Sequence, residues 1–413
     1  MKILDIFRNP ISRRIEEVIK VDLGDQATVA LELEEYVATP HIQHSFEEVL
    51  DRYQETINKP DEGTNLWISG FFGSGKSSFA KILGYLLENP IVQGQPAAER
   101  FLARVEAQRI RALLNTIHAQ ARTVSIFVDL SSGKNVAREG ESIVLPLYRA
   151  VLDRLGYSRD FTLAELEFDL ETDGDLPQFE AEFRKVSGER GDWRSRRNIG
   201  LARNEASHAL HMLRPATYPS PDSWSRSGRQ PVIDANFFAE RVLQLLHRRA
   251  PTAHRLMFVV DEVGQYVSRA VDRMFDLMGL AHAVQKKRGS LWLAVTSQET
   301  LEDVVDSLEG KRVELARARD RFPVRVDLIP SDIEEVAGQR VLQKNAPGQQ
   351  AVRQTLREHR NKLSANIRLN SPTRGQELAE EEFIRLYPLL PYQIQLFIDA
   401  VSAHRARGGG GPM

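Results

Sequence analysis

The stretch GFFGSGKSS at residues 70–78 limits most strongly how this 413-residue sequence can fold. An apolar run ending in glycine, TNLWISG (64–70), precedes it, and KSSFAKILGYLLENP (76–90) follows it with the pattern of a helix. Glycine removes the side chains that would block access to backbone N–H groups, and it permits positive φ. The start of the helix directs further N–H groups and the positive end of its dipole to the same place. The stretch therefore predicts a strand, a phosphate-cradling loop and a helix.

Residues 70–77 meet the phosphate-binding pattern G-x-x-x-x-G-K-[ST], and a glycine turn that binds nothing is the alternative. In this pattern Lys76 supplies a positive charge to the β- and γ-phosphates, and the Ser77 hydroxyl is a ligand of Mg²⁺. We therefore expect ATP and Mg²⁺ to bind here. The loop residues predicted to bind them are Gly70, Gly73, Ser74, Gly75, Lys76, Ser77 and Ser78.

Two carboxylates end the most continuous apolar run of the chain, RLMFVVDE (255–262). A carboxylate at the tip of a buried strand is costly unless a cation or hydrogen bonds compensate it. We expect Asp261 to hold Mg²⁺, directly or through water, and Glu262 to polarise the water that attacks the γ-phosphate. The alternative is an Asp-Glu pair that caps a helix, because acidic residues are common at helix starts.

Polar residues end another apolar run, LWLAVTSQ (291–298). Thr296, Ser297 or Gln298 could lie between the first two motifs and orient the attacking water, although polar residues commonly follow strands. Of these, we expect Thr296 to contact the nucleotide and Gln298 to be catalytic. The order of the motifs along the chain matches the additional-strand class of P-loop ATPases, in which the strand before these polar residues lies between the P-loop strand and the acidic strand.

Short apolar runs alternate with helical patterns through residues 61–330. Runs that are apolar throughout are typical of strands covered on both faces. The strands are predicted at 64–70, 124–132, 255–262, 291–298 and 322–328, the last at an edge. The prediction is an α/β fold, a parallel sheet of the AAA+-like P-loop type with helices on both faces. The predicted units are an N-terminal helical approach segment (1–60), the ATPase domain (61–330) with a charged insertion (160–233), a C-terminal helical lid (331–407) and a flexible tail (408–413).

ARARDRFPVRVDL (316–328) resembles the arginine-finger box of AAA+ ATPases, because an arginine precedes an aromatic residue ahead of the last strand. Arg321 is the first candidate and Arg319 the second; such an arginine would stabilise γ-phosphate charge in a neighbouring subunit of a homo-oligomer. A solvated basic turn is the alternative. In the C-terminal helices, Arg340 or Lys344 could be the cation that a lid presents to the nucleotide.

The insertion at 160–233 is acidic first, then arginine-rich between 184 and 203, with Trp193 among the charges. Such a stretch could contact the phosphates of DNA. Equally, the acidic residues could neutralise the arginines within the protein.

The composition excludes several classes of protein. Hydrophobic residues make up 42% and charged residues 27%, so the chain as a whole is globular rather than disordered. The absence of cysteine excludes disulfides and thiolate chemistry, and 55 Lys+Arg against 57 Asp+Glu leave a net charge of −2, without a bulk basic field. The sequence has no signal peptide pattern and no run near the roughly 18 apolar residues of a membrane span. We expect a cytoplasmic protein without membrane contact.

Several segments together resemble the BrxC family, the P-loop ATPases of BREX bacteriophage-exclusion systems, to which the phage-growth-limitation ATPase is related. They are VALELEEYVATPHIQHSFEEVLDRY, the glycine-rich stretch with its helix, FVVDEVGQYV, AVTSQETL, DRFPVRVDL and YPLLPYQIQLF. The resemblance runs from about residue 20 to 400, and VGQYV and YPLLPYQ are its most particular pieces. It implies ATP hydrolysis, multimerisation and work with other BREX defence proteins. Because members of that family are typically longer, it also implies that this chain is an N-terminal ATPase portion.

Two other functions fit the same motifs. One is a nucleotide-dependent switch or scaffold, in which ATP binding orders an assembly and turnover is slow. The other is a DNA loader like the origin-recognition ATPases, which would bind DNA with a strong dependence on salt.

Overall fold

The structure of the protein is a computed structural model. It describes residues 2–400 apart from residues 11–24, 72, 106, 132–139, 228–230, 268–269, 308–316, 367–378, 391–392, 395 and 398–399. The predicted flexible tail (408–413) and the last part of the predicted lid (401–407) lie outside the described residues.

A five-stranded parallel sheet forms the centre of the molecule, in the order β4-β5-β6-β1-β7. Its strands are β1 (Asn65–Gly70), β4 (Thr123–Asp129), β5 (Arg255–Asp261), β6 (Leu291–Ser297) and β7 (Val324–Leu328). A separate antiparallel pair consists of β2 (Ile91–Val92) and β3 (Gln95–Pro96). The predicted α/β fold with a parallel sheet is confirmed, as are the placement of β6 between β1 and β5 and that of β7 at an edge.

Helices cover both faces of this sheet, which explains why its central strands are apolar throughout. On one face lie α1 (Gln26–Glu35), α2 (Pro40–Asn58), α3 (Lys76–Glu88), α4 (Ala97–Leu102) and α5 (Gln108–Gln120). On the other lie α6 (Val144–Leu155), α12 (Ala235–Arg249), α13 (Val263–Val267), α14 (Val271–Gln285), α15 (Leu301–Ser307) and α16 (Ala318–Arg321). Successive strand residues point to opposite faces; thus Leu66 and Ile68 join the first core and Trp67 the second.

The charged insertion forms a helical unit with its own apolar core, in which Phe179 and Phe183 each contact Trp193 edge to face. Its helices are α7 (Phe161–Asp173), α8 (Leu176–Ser187), α9 (Trp193–Arg196), α10 (Ala202–Leu213) and α11 (Ser223–Arg226). A buried ion pair joins α9 to α10 in this unit. Arg196 donates from Nε and Nη2 to the two carboxylate oxygens of Glu205, at 2.8 and 3.0 Å. The arginines and acids of the insertion therefore hold one another.

The C-terminal helices are α17 (Pro330–Arg340), α18 (Ala346–Asn366) and α19 (Glu380–Leu386). Residues of α18, of α19 and of the turn after α17 share a core with the start of the chain. We call residues 2–8 the N-terminal strap. Its Phe7 pairs with Lys344 in a β-bridge, and its Ile6 carbonyl accepts from the Asn345 backbone at 3.0 Å. The segment predicted as one N-terminal unit is thus divided: the strap packs on the C-terminal helices, whereas α1 and α2 pack on the sheet.

A buried carboxylate joins the C-terminal helices to α2. Asp332, which is 3% exposed, accepts from Thr39 Oγ1 at 2.6 Å and lies 2.9 Å from His41 Nδ1. Thr39 also caps α2, since its Oγ1 accepts from the Ile42 backbone, and Pro40 follows as the first helical residue. This cap sets the start of α2 at Pro40. Among the described helices, none has both the length and the apolar character needed to cross a membrane.

Replacing Glu205 with alanine leaves the Arg196 guanidinium buried without its carboxylate. Breaking such a pair costs about 3–5 kcal/mol. We therefore expect the amides of α8 and α10 to exchange with solvent at least about a hundredfold faster in hydrogen-exchange measurements. The matched control is Arg190→Ala, which removes an exposed partner of the same carboxylate (3.0 Å away) and should change exchange less than about fivefold. Equal effects of the two variants would contradict the assignment.

Candidate functional site

The loop between β1 and α3 adopts a backbone that glycine permits. Gly73 and Gly75 both have left-handed φ, of 79° and 89°. A Cβ built on either residue meets no atom within 4 Å, so backbone conformation rather than crowding accounts for these glycines. Gly70 is different, because a Cβ there would lie 2.8 Å from the Leu328 carbonyl oxygen of β7. Substitution at Gly70 would therefore push the loop away from the sheet.

The start of α3 provides hydrogen-bond donors at this loop. Gly75 is the N-cap and has no side chain to bond the first amides, while Lys76, Ser77 and Ser78 form the first turn. The first four N–H groups of an α-helix have no partner within the helix. Beside them, the buried Ser74 Oγ has no hydrogen-bond partner among the described residues. This arrangement fits an anion with several oxygen atoms.

Lys76 is the cation of the loop. It is 6% exposed, and its Nζ donates to the Phe71 carbonyl oxygen at 2.9 Å, which curls the side chain back along the loop. Burial lowers the pKa of Lys76, and the negative charges of Glu262 and Asp261 partly oppose this effect. The positive charge is thus placed between the loop and the strand-end carboxylates.

A single carboxylate oxygen joins three segments of the site. Asp261 Oδ1, at the end of β5, accepts from Ser77 Oγ of α3 at 2.9 Å, from Thr296 Oγ1 of β6, and from the Glu262 backbone N–H at 3.1 Å. The structure therefore brings together Ser77, Asp261 and Thr296, which the sequence predicted to meet. The hydroxyl and carboxylate oxygens are the kind of ligand that Mg²⁺ takes in proteins.

Glu262 has an unusual backbone for a non-glycine residue, with φ of 58°. Its N–H also donates to Thr296 Oγ1 at 3.0 Å, and its carbonyl oxygen accepts from Tyr266 as α13 begins. Burial raises the pKa of Glu262, and the charges of Asp261 and Asp129 raise it further, while Lys76 and a hydrogen bond with Gln298 lower it. Left-handed conformation at such a residue costs free energy and is concentrated at functional sites.

The three polar residues at the end of β6 have different positions. Thr296 bonds Asp261 and the Glu262 amide, and the Gln298 side chain bonds the Glu262 carboxylate. Ser297 instead bonds the turn that follows β6, because its Oγ accepts from the Glu299 backbone N–H at 3.2 Å. The same Oγ packs against Gly264, where a Cβ would lie 2.3 Å from it. Of the three candidates, Thr296 and Gln298 are therefore the two that reach the acidic pair.

Sequence reasoning missed Asp129 as a member of this site. Asp129 ends β4 in register with Asp261, and its carboxylate contributes to the raised pKa of Glu262. Asp129 Oδ1 accepts from the backbone and the hydroxyl of Ser131, at 2.8 and 2.7 Å. The available signal was the run VSIFVD, which is apolar and ends on a carboxylate in the same way as FVVD.

Arg321 lies near the amino-terminal end of β1, whereas the glycine-rich loop follows the carboxyl-terminal end of this strand. Its carbonyl oxygen accepts from Asn65 Nδ2 at 2.7 Å, and Asn65 is the first residue of β1, whereas the loop follows the last. Five residue steps of about 3.3 Å separate these ends. The Arg321 guanidinium donates to Gln285 Oε1 at 3.0 Å, and the half-exposed Arg319 Nε lies 4.0 Å from Glu302. Neither arginine is near the loop of its own chain.

The two candidate lid cations have partners away from the loop. Arg340 pairs with Glu35 of α1 at 3.1 Å. Lys344 Nζ donates to the Arg385 carbonyl oxygen at 2.7 Å. In this arrangement the C-terminal helices present neither of them to the glycine-rich loop.

The arginine-rich part of the insertion is largely paired with acidic residues of the same unit. Arg197 lies 2.8 Å from Glu167, whose same oxygen accepts from Trp193 Nε1 at 2.7 Å. Other ion pairs of this unit include Arg190–Glu205, Arg194–Glu180, Arg196–Glu205, Arg203–Asp160, Arg214–Asp173 and Arg214–Asp175. Trp193 is 1% exposed and belongs to the apolar core. These contacts favour internal neutralisation, the second of the two interpretations of this stretch.

No protein-family model matches the chain. What the site can do chemically therefore follows from its geometry: a cradle of backbone donors, a buried lysine, and a carboxylate pair at the end of β5 that Thr296 of the adjacent parallel strand β6 contacts.

Two properties of Glu262, its left-handed backbone and its partly buried carboxylate, affect the stability of the fold separately. Glu262→Gly removes both the left-handed strain, about 1 kcal/mol, and the carboxylate, whereas Glu262→Gln removes only the carboxylate. Because the pKa of Glu262 is raised in the folded state, the folded state binds the proton more tightly than the unfolded state. The free energy of unfolding therefore falls as the pH rises from the ordinary glutamate pKa through the raised pKa of the folded state. Both variants should therefore be more stable than the parent at pH 7.

The gain of Glu262→Gln should disappear as the pH falls towards the ordinary glutamate pKa of about 4.3. About 1 kcal/mol of the Glu262→Gly gain should remain there. Denaturant unfolding at several pH values measures both. A glycine variant less stable than the glutamine variant throughout would contradict the strain assignment.

Proposed function

We propose that this chain is a P-loop ATPase of the additional-strand, AAA+-like class that binds ATP with Mg²⁺ and hydrolyses it. The observation that carries the proposal is the contact of Ser77 Oγ with Asp261 Oδ1, beside the buried Lys76. The order of the sheet supports the class, because β6 separates the strand of the loop from the strand of the carboxylates. Ser74 Oγ, which has no hydrogen-bond partner within the described part of the chain, and the open space at Gly73 and Gly75 fit a bound triphosphate.

In this proposal the phosphates lie against the backbone N–H groups of the loop and the start of α3, and Lys76 neutralises β/γ-phosphate charge. Ser77 and Asp261 would supply protein oxygens to Mg²⁺. When bound, Mg²⁺ neutralises phosphate charge and aligns the reacting groups. Ser77 and Asp261 already share a hydrogen bond, so their oxygens need little rearrangement to serve one cation.

Glu262 is the proposed general base. Its carboxylate would accept a hydrogen bond from the attacking water and draw away its proton. A raised pKa brings the base closer to the pH at which it works, which favours proton transfer. Gln298 would orient the carboxylate through their hydrogen bond, and Thr296 would fix the backbone on which it stands.

We also propose that the ATPase assembles into a homo-oligomer through its nucleotide interface and serves a BREX-type anti-phage complex. The position of Arg321 supports the first part, since it lies away from the loop of its own chain and would act only on a neighbour. The resemblance of the FVVDEVGQYV and YPLLPYQ segments to the BrxC family supports the second. Direct DNA contact has less support, because the arginines of the insertion are largely paired with acids.

The two roles of the site are tested by separate variants. Lys76→Ala should weaken ATP binding by at least about tenfold, because it removes a buried cation from a charged contact. Glu262→Gln should bind ATP as the parent does but release phosphate about 10²–10⁴-fold more slowly. Equilibrium binding of a fluorescent ATP analogue and steady-state phosphate release, alone and with DNA, measure these effects.

The control for these variants is Lys59→Ala, an exposed lysine after α2 that should change neither quantity. Normal hydrolysis by Glu262→Gln would show that the role given to Glu262 is wrong. ATP binding without turnover in the parent would favour the switch or scaffold. In host cells that carry the defence system, both site variants should lose protection against phage.

Arg321 is tested by mixing variants. Arg321→Ala should bind ATP but lose turnover, since an arginine finger contributes about 10³–10⁵-fold to such reactions. Mixing it with Glu262→Gln should restore part of the activity, because some interfaces then join an intact site to an intact arginine. The control is Gln285→Ala, which removes the hydrogen-bond partner of Arg321 but keeps the cation. Mass measurements with and without ATP·Mg²⁺ report the assembly; activity that mixing never restores would exclude action between subunits.

A further inference from the structure

A cavity of about 270 Å³ lies among the C-terminal helices, and none of its lining residues belongs to the glycine-rich loop. We call it the C-terminal pocket. It is lined by side chains from α17, from the turn after it, and from α18 and α19, among them Gln339, Leu342, Lys344, Arg353, Ile384 and Arg385. Amide, apolar and cationic groups therefore face one space.

Lys344 is a buried cation in this pocket. It is 5% exposed, and its Nζ donates to the Arg385 carbonyl oxygen at 2.7 Å and lies 5.6 Å from the centre of the Phe7 ring. None of the ion pairs among the described residues includes Lys344. Burial lowers its pKa to about 8. A buried ammonium is normally paired with an anion, and here a carbonyl oxygen and a ring are its neighbours.

Arg385 adds a second donor that lacks an acceptor. Its Nε is buried and has no hydrogen-bond partner among the described residues. Its side chain is held against Gly338, where a Cβ would lie 2.6 Å from Arg385 Cγ. Gly338 thus leaves the room that places the guanidinium in the pocket.

The acidic groups near the pocket do not neutralise these two cations. Glu381 lines the pocket but is exposed, and among the described residues it makes no ion pair with Lys344 or Arg385. The remaining lining cation, Arg353, lies 2.8 Å from Glu380, so this pair is internally balanced. The pocket therefore has an excess of positive charge at Lys344 and Arg385.

We propose that the C-terminal pocket binds a small oxyanion, a phosphate or a carboxylate group, between Lys344 and Arg385. The ammonium supplies a compact charge and the guanidinium a directional N–H donor, which together suit an anion with two or more oxygens. The pocket volume admits a small ligand rather than an extended chain. The three glutamines of the lining, Gln339, Gln343 and Gln349, could bond polar groups attached to the oxyanion.

Binding here would be transmitted to the start of the chain. The backbone of Lys344 pairs with Phe7 of the N-terminal strap, and the strap residue Arg8 donates its N–H to the Gln343 carbonyl oxygen at 2.7 Å. An anion that fixes Lys344 in its charged form would therefore also stabilise the docking of the strap. The site shares no lining residue with the proposed nucleotide site, which lies between the end of β1 and the start of α3.

The test uses the full chain with Lys76→Ala, which weakens phosphate binding at the glycine-rich loop. Inorganic phosphate and succinate are the two probes, compared with chloride at equal ionic strength, in thermal unfolding. We expect one probe to raise the Tm by a few degrees and to do so at millimolar concentration. Adding Lys344→Met or Arg385→Gln should abolish the rise, whereas a rise shared by all variants is a general salt effect and overturns the proposal.

A second measurement remains valid if Lys344→Met fails to fold. The lysines of the Lys76→Ala protein are ¹³C-methylated, and the Lys344 signal is identified by its loss in Lys344→Arg. We expect the effective probe to raise the pKa of Lys344 from about 8 by about one unit, which corresponds to about tenfold tighter binding by the charged form. An unchanged pKa with both probes overturns the proposal. Response to phosphate alone or to succinate alone identifies the class of oxyanion.

Discussion

The candidate site depends on one carboxylate oxygen, Asp261 Oδ1. It accepts hydrogen bonds from the first turn of α3, from the end of β6 and from the next backbone amide of its own chain. Even a half-buried carboxylate without such donors would be costly. Here the donors are the groups that a phosphate-binding site needs, so the contacts that stabilise the ligand-free fold also bring together the groups of the site. The left-handed backbone of Glu262 follows from the same constraint, because its N–H turns back towards Asp261 and Thr296.

Buried charges elsewhere in the molecule divide into two kinds. In the insertion, Arg196 and Arg197 each face a carboxylate, and the aromatic core closes around them. Such pairs fix the geometry of a helical unit and leave little charge for a partner. In the C-terminal pocket, Lys344 and Arg385 lack that compensation among the described residues. The difference is why one cationic region is structural and the other is a candidate for an anionic ligand.

Much of the sheet could be predicted from the sequence because buried parallel strands have a direct signature. The runs at 64–70, 255–262 and 291–298 are largely apolar, and the ends of each run agree with the ends of an observed strand to within one residue. The ends of the helices were less predictable. For example, α2 begins at Pro40 because Thr39 caps it, and the spacing of apolar residues carries no information about such a cap. The division of residues 1–60 between two cores was not predictable, because packing of the strap on α18 and α19 joins residues more than 330 positions apart.

The sequence by itself determined the strand–loop–helix unit around residues 70–78 and the chemical types available at the strand ends, because glycine, lysine and carboxylate requirements are local. Only the tertiary structure decided which of these groups meet. It directed Thr296 and Gln298 to the acidic pair, whereas Ser297 bonds the turn that follows β6. The register of β4 with β5 added Asp129 to the site. Arg321 was placed at the amino-terminal end of β1, opposite to the loop. It also paired most arginines of the insertion with acidic residues of the same unit. The physical reason is that contacts between charged and polar side chains depend on strand order, register and burial, which are set by the packing of the whole chain.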